Sequence, residues 1–227
     1  MQWNTASHLP PEGTGSAKSS VGRRGGGRFD RAAKLILDVL LSAIGVLILS
    51  PLLVALALIV RLDSPGPVLY RRRVMGLGRT QFDALKFRTM RVNGDALLDQ
   101  YPELKARLAQ DHKLRNDPRV TRSGRWMRKL SLDELPQIFN VLRGQMSLVG
   151  PRMISPPELA RYGDDADELL TVRPGITGLW QVSGRSDLDR GDRVKLDMQY
   201  VRTRTVGMDL KLLLLTIPAV IKGQGAY

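Results

Sequence analysis

The sequence predicts a mainly α chain with one small β-hairpin, an α+β fold held to a membrane by an interrupted apolar helix. Three observations carry that expectation. Val39 to Val60 is a charge-free apolar run with Ser50-Pro51 in its middle, two short strand-like pieces flank a glycine-punctuated turn at residues 75–78, and the apolar residues of 132–142 recur at helical spacing.

Taken in order, residues 1–30 form a basic tail rich in Gly, Ser and Pro that cannot bury a core, so disorder is expected there. Its last arginines are placed to meet anionic headgroups. The apolar run follows. At ~1.5 Å per helical residue it reaches roughly 33 Å, enough to cross a hydrocarbon core of about 30 Å. Arg28, Arg31 and Lys34 precede it and Arg61, Arg71, Arg72 and Arg73 follow it, so the positive-inside rule does not choose a cytoplasmic end. Pro51 deletes a backbone hydrogen bond and clashes with the preceding turn, while Ser50 has a hydroxyl to offer the freed carbonyl. A helix that enters and turns back and a kinked single-pass anchor both fit this pattern.

Ser64-Pro65-Gly66-Pro67 closes the membrane element with a rigid turn. The pieces around Val68-Leu69-Tyr70 and Gln81 to Leu85, joined through Met75-Gly76-Leu77-Gly78, read as a hairpin. Asp95 to Asp111 reads as a helix and Asp117-Pro118-Arg119 as a turn. Ser131 and Glu134 have the spacing of a capping box opening a helix through Leu142. Two glycine-punctuated segments follow, around Gly150-Pro151-Arg152 and Pro174-Gly175. The segment Asp209 to Lys222 is too short to span and is either a core helix or one lying in the headgroup plane.

Composition bounds the chemistry. The chain has 227 residues, no cysteine and two histidines, His8 and His112, which excludes disulfides, thiol nucleophiles and Cys- or His-based metal centres. Catalysis must then use carboxylates and cations, with or without an oxygen-bound metal. A net charge of +13 calls for an anionic partner: nucleic acid, acidic lipid or a phosphorylated substrate. With 5% aromatics and no helix-turn-helix or RNA-binding signature, nucleic acid is the weakest of the three. Asp133-Glu134, among Arg125, Arg128, Arg143 and Arg152, is the leading candidate site, because a helix start and nearby guanidinium groups both suit phosphate. The plainer reading of such an acidic pair is a complement to the helix dipole, and of Lys86-Phe87-Arg88 a solvated strand edge.

Several segments together resemble the bacterial sugar transferase family, the monotopic phosphoglycosyl transferases. They are Asp63 to Pro67, Lys86 to Met90, Ser131 to Gln137, Asn140 to Gly144, Met146 to Arg152 and Pro174 to Arg185, in order. The resemblance implies a basic tail (1–30), a reentrant helix-break-helix with its break at Ser50 and Pro51 (31–64), and a cytosolic catalytic domain with amphipathic interfacial helices, ending in the C-terminal one (65–227). It implies transfer of a hexose-1-phosphate from a UDP-hexose to a polyprenyl phosphate at the bacterial inner membrane, releasing UMP, as the first membrane step of exopolysaccharide or glycan synthesis. By the same likeness Asp133 is the nucleophile that forms an aspartyl phosphosugar, and Glu134 and Asp133 hold Mg²⁺. Lys86, Arg88, Arg128 and Arg152 then lie near the phosphates, the membrane contact is to anionic lipids, no nucleic acid is a partner, and a homodimer is left open.

The chain departs from the family pattern at Gln145, Met153, Arg72 and Val74, and loss of an acid at 145 is expected to affect the metal site or a salt bridge. Two other readings, a non-catalytic basic membrane-surface protein and an anchored nucleic-acid-binding protein, leave the Asp133-Glu134 pair unexplained.

Overall fold

The computed structural model describes residues 28–111, 114, 117–184 and 189–222. Most of the tail expected over 1–30, both histidines and Arg185 lie outside them. Helix α1 runs from Arg28 to Asp63 with Pro51 inside it. Pro51 has no N–H for the Leu47 carbonyl, and the Ser50 hydroxyl donates to that same oxygen at 2.9 Å. No loop separates two helices at Ser50 and Pro51: the orphaned acceptor has found a local donor, and the position expected to break the helix holds a proline, the usual site of a bend, within one helix.

One domain grips α1 at both ends. Near its start, the buried Asp38 carboxylate accepts from the Ser147 hydroxyl at 2.7 Å and the Leu148 N–H at 3.2 Å, and pairs with Lys34 at 3.2 Å. At its end, Asp63 accepts from the Ser123 N–H and hydroxyl at 2.8 and 2.6 Å. Leu56 and Val60 pack between these points against Phe87 and Met127. The opposite face, with Ile36, Leu40, Ile44, Leu47 and Leu58, is exposed and apolar. By length and composition α1 is able to cross a membrane.

Strands β1 (Leu69–Met75) and β2 (Gln81–Phe87) pair antiparallel, with Leu69 opposite Phe87 and Met75 opposite Gln81. The hairpin is as expected, its turn relying on Gly78 at φ 61°. The helix expected over Asp95–Asp111 is two helices, α2 (Gly94–Leu98) and α3 (Pro102–Asp111). Proline opens the second because it cannot donate backward and is preset for a first turn. Thr121 caps α4 (Arg122–Lys129), its hydroxyl accepting from the Gly124 N–H at 3.0 Å. A 3₁₀ turn over Leu132–Gln137 leads into α5 (Ile138–Leu142), which packs along the middle of α1.

Strands β3 (Ser147–Val149) and β4 (Gly175–Thr177) form a short parallel pair. The Gly150 N–H donates to Thr177 and the Gly175 N–H to Pro151. A Cβ on Gly175 would lie 2.1 Å from the Gly150 nitrogen, and one on Gly178 would lie 2.2 Å from the Gly150 carbonyl oxygen, which is why these motifs carry glycine. Between these strands a 3₁₀ stretch (Pro156–Asp165) precedes α6 (Ala166–Leu169), and after them come α7 (Leu179–Val182), α8 (Arg190–Thr203) and α9 (Val206–Lys222). Helix α9 has two faces: Leu212 is buried with Val149 and Tyr200, as expected of a core helix, while Leu210, Leu214 and Ile217 are exposed and apolar.

Arg88, expected near the phosphates, fastens the exit of α1. Its guanidinium donates to the Pro67, Pro65 and Ser64 carbonyls and to the Ser64 hydroxyl at 2.6–2.9 Å. A planar fork satisfies several acceptors that an ammonium cannot. Arg88→Lys is therefore expected to lower stability by about 2 kcal/mol, or roughly 4–8 °C in Tm for a chain of this size. A thermal melt of the detergent-solubilised protein checks it.

Candidate active site

Side chains alternate along a strand, so the end of β2 sends Phe87 into the core and Lys86 and Arg88 the other way. Lys86 reaches the turn Leu132–Gln137 and its ammonium meets Glu134 Oε1 at 2.6 Å. The expected capping box is absent. Ser131 sits in the left-handed region at φ 56°, ψ 21°, where its side chain caps nothing, whereas a capping serine needs extended backbone. The Glu134 side chain is turned instead toward Lys86 and Arg152. Such a conformation costs a non-glycine residue about 1–2 kcal/mol and is characteristic of functional sites. The two 3₁₀ turns run straight into α5, and the cations around their start add to the anion-attracting field of that helical run.

Those cations converge from three elements. Arg152, after β3, approaches Glu134 Oε1 at 3.4 Å. Arg128, from α4, is half-buried, donates to the Thr89 hydroxyl at 2.8 Å and acts electrostatically on Asp133. Lys86, Arg128 and Arg152 thus gather at Asp133-Glu134 as expected, around a cavity of about 930 Å³. Arg88 also borders the cavity, but its donors are engaged by backbone. Arg125 and Arg143 are not among the cavity's lining residues. Arg143 faces a separate groove with Arg71 and Arg73.

The two adjacent carboxyls are driven apart. Burial lifts the Asp133 carboxyl to about 6, with the neighbouring Glu134 charge adding to the rise and Lys86 and Arg128 opposing it. Glu134 is partly buried, but Arg152 and Lys86 overcome that penalty and hold it at about 2. Among the described residues, no cation forms a salt bridge with Asp133, while Glu134 has two. Near neutral pH this makes one clamped anion and one ionised carboxylate free to react.

Support for Arg152 comes from residues the sequence reading missed. Its N–H donates to the buried Asp197 carboxylate at 3.1 Å, which also accepts from the Tyr162 hydroxyl at 2.8 Å. Burial pushes Asp197 up to about 7. Arg152 and Arg193 cover the Trp180 ring at 5.4 and 5.1 Å from its centroid. Arg193 and Asp197 are four apart on α8, a spacing that could have marked a working helix face.

Among the described residues, no group of three or more His, Cys, Asp or Glu side chains forms a metal cage. Asp133 and Glu134 fit the other mode of holding Mg²⁺, in which one or two carboxylates share the ion with substrate phosphates and water. Gln145 stands apart from this chemistry: it accepts from Asn140 Nδ2 at 2.8 Å, and Asn140 in turn bonds Asp83 and Leu85 of the hairpin. Val74 and Met153 share one core cluster, and Arg72 pairs with Glu158 at 2.8 Å.

Comparison with known proteins follows this geometry. The chain is 41% identical over 221 residues to the exopolysaccharide production protein ExoY of Rhizobium meliloti, covering 96% of this chain and 94% of that one. It is 45% identical over 204 residues to the undecaprenyl-phosphate galactose phosphotransferase of Salmonella typhimurium, covering 88% of this chain and 43% of that one. It is 38% identical over 229 residues to the UDP-glucose:undecaprenyl-phosphate glucose-1-phosphate transferase of Caulobacter vibrioides, covering 96% and 82%. The chain thus spans less than half the length of the Salmonella relative and nearly all of the Rhizobium one. With the family's sequence profile matching residues 29–223, the chain belongs to the bacterial sugar transferase family.

Proposed function

We propose that the protein is a membrane-associated phosphoglycosyl transferase that moves a hexose-1-phosphate from a UDP-sugar to undecaprenyl phosphate through a covalent aspartyl intermediate. The observation that carries the mechanism is the contrast between a clamped Glu134 and an uncommitted Asp133 beside it. An Asp133 carboxylate oxygen attacks the phosphorus nearer the sugar, and the bond from that phosphorus to the UMP oxygen breaks. An oxygen of the lipid phosphate then bonds to the same phosphorus and the Asp133 carboxylate leaves. No proton transfer is required. Lys86, Arg128 and Arg152 bind and orient the phosphates and balance their charge, which is most of what phosphoryl transfer asks of a protein. Mg²⁺, held by Glu134 and Asp133 with the substrate phosphates, would supply further charge neutralisation.

We also propose that α1 is reentrant and that the catalytic domain lies on the cytoplasmic face, against anionic lipid. The grip of one domain on α1 from Asp38 to Asp63 supports this, since those contacts extend ~37 Å along the helix. An upright helix would force the polar domain through the full hydrocarbon thickness of about 30 Å. Leu210, Leu214 and Ile217 on α9 give a second apolar surface to the same bilayer.

Asp133→Asn is expected to abolish turnover and to leave the melting temperature within a few degrees of wild type, since an amide of the same shape cannot form the acyl phosphate. Mass spectrometry of wild type incubated with UDP-sugar alone should show a hexose-phosphate adduct that the variant lacks. Full activity in the variant rules out the covalent route.

A raised carboxyl pKa means that the proton is held to higher pH, so the reactive anion is lost as pH falls through about 6. The infrared carboxylate difference between metal-free wild type and Asp133→Asn should titrate with that midpoint. Lys86→Met should move it upward, because the removed cation favours the anion.

For topology, cysteines placed at Ser20 and at Gly207, where a Cβ meets no neighbour within 4 Å, should both resist a membrane-impermeant thiol reagent in intact cells. Labelling of Ser20→Cys alone identifies a spanning helix.

A further inference from the structure

The cavity continues beyond the dyad in two directions of different character. One end is charged, bordered by Arg91, Asp95 and Arg119. The other is bordered by Ile176 and Thr177 of β4 and by Thr216, Ala219 and Val220 of α9. The inward face of α9 is buried in the core at Leu212, but one and two turns later the same face lines the cavity. The outward face at Leu214 and Ile217 is exposed and apolar. The last turns of α9 therefore separate the reaction cavity from the surface assigned above to lipid.

The geometry points to this α9–β4 end as the acceptor subsite, taking an isoprenoid phosphate with its phosphate at Lys86 and Arg152 and its first isoprene units passing Ile176, Ala219 and Val220 toward the bilayer. The inference rests on the reaction proposed above and adds the place of the second substrate.

The wall's chemistry selects an isoprenoid over a nucleobase. Ile176, Ala219 and Val220 offer no side-chain hydrogen bond. The Thr216 hydroxyl donates to the Leu212 carbonyl at 2.7 Å and takes the Thr177 hydroxyl as its own donor at 2.7 Å, so the two threonines satisfy each other. The Ile176 carbonyl already accepts from Gln181 Nε2 at 2.8 Å. A uracil edge here would find only spare lone pairs on the threonine hydroxyls, because the unpartnered Trp180 Nε1 and Gln181 Oε1 are buried beneath the cavity surface. Trp180 borders the same end, but its ring is buried and carries Arg152 and Arg193 against it, which leaves little of it for a base to stack on. An isoprene unit asks for none of these bonds, and its phosphate finds the cations at the dyad.

The test separates the two substrates with Ala219→Phe and the smaller Ala219→Leu in the purified full chain. Exchange of labelled UMP into UDP-sugar without lipid reads the first step, and turnover against undecaprenyl phosphate reads the second. In Ala219→Phe the KM for undecaprenyl phosphate should rise at least tenfold, with a smaller rise for Ala219→Leu, while the exchange KM for UDP-sugar stays within twofold. A raised UDP-sugar KM with an unchanged lipid KM places the donor at this end and overturns the inference, as does no change in either. If Ala219→Phe loses both activities through misfolding, Ala219→Leu decides on the same two numbers. Absence of UMP exchange in the wild type would refute the covalent two-step reaction alone, because the lipid KM still reports on the subsite.

Discussion

The structure depends on a buried carboxylate in its longest helix. Asp38 is almost wholly removed from solvent, a placement that is costly unless each oxygen is met. Ser147 and Leu148 meet it from β3, and Lys34 bridges between Asp38 and Asp209 of α9 at 3.2 and 2.9 Å. Tyr200 donates to Asp209 at 2.7 Å and so brings α8 into the same network. Losing any one partner would strand a charge in a dry setting. This polar knot thus sets which face of α1 the domain covers and which apolar face it leaves bare.

From that anchor the site is built by opposing environments. Asp133 and Glu134 are adjacent in sequence, the first buried and the second partly so, yet their carboxyls sit far apart in pKa, at about 6 and about 2. The difference is a matter of direction: Glu134 faces Lys86 and Arg152, while Asp133 has those charges only at longer range. The left-handed Ser131 precedes the pair, and the turn that begins there aims the two side chains differently. Local backbone strain is thereby converted into a division of labour between two chemically similar groups.

How much of this was legible in the sequence followed the range of the interaction concerned. The hairpin and the apolar helix were legible because turn glycines and hydropathy act locally. Arg128 and Arg152 were legible as neighbours of Asp133 in the chain, whereas Lys86, from a distant strand, joined them only through the family resemblance. Ser131 misled because Ser-x-x-Glu spacing states that a capping box is available, while tertiary pull on Glu134 from Lys86 decided that it does not form. Arg88 looked like its neighbour Lys86, but strand alternation does not reveal that a helix exit with unpaired carbonyls lies within its reach. The β3–β4 pair was invisible because three-residue strands far apart in sequence carry no period to read.

The meeting of Gly150, Gly175 and Gly178 has a consequence for how such chains diverge. Core contacts between large side chains drift readily, because growth at one position can be matched by shrinkage at another. Here the contacting atoms are backbone, with clearances of 2.1 to 2.7 Å for any added Cβ, and no partner is left to shrink. The contact offers no neutral exchange of volume, so accepted substitutions must accumulate around it. This stretch of the chain, which carries Arg152 into the site, is a fixed point about which the rest of the family's variation turns.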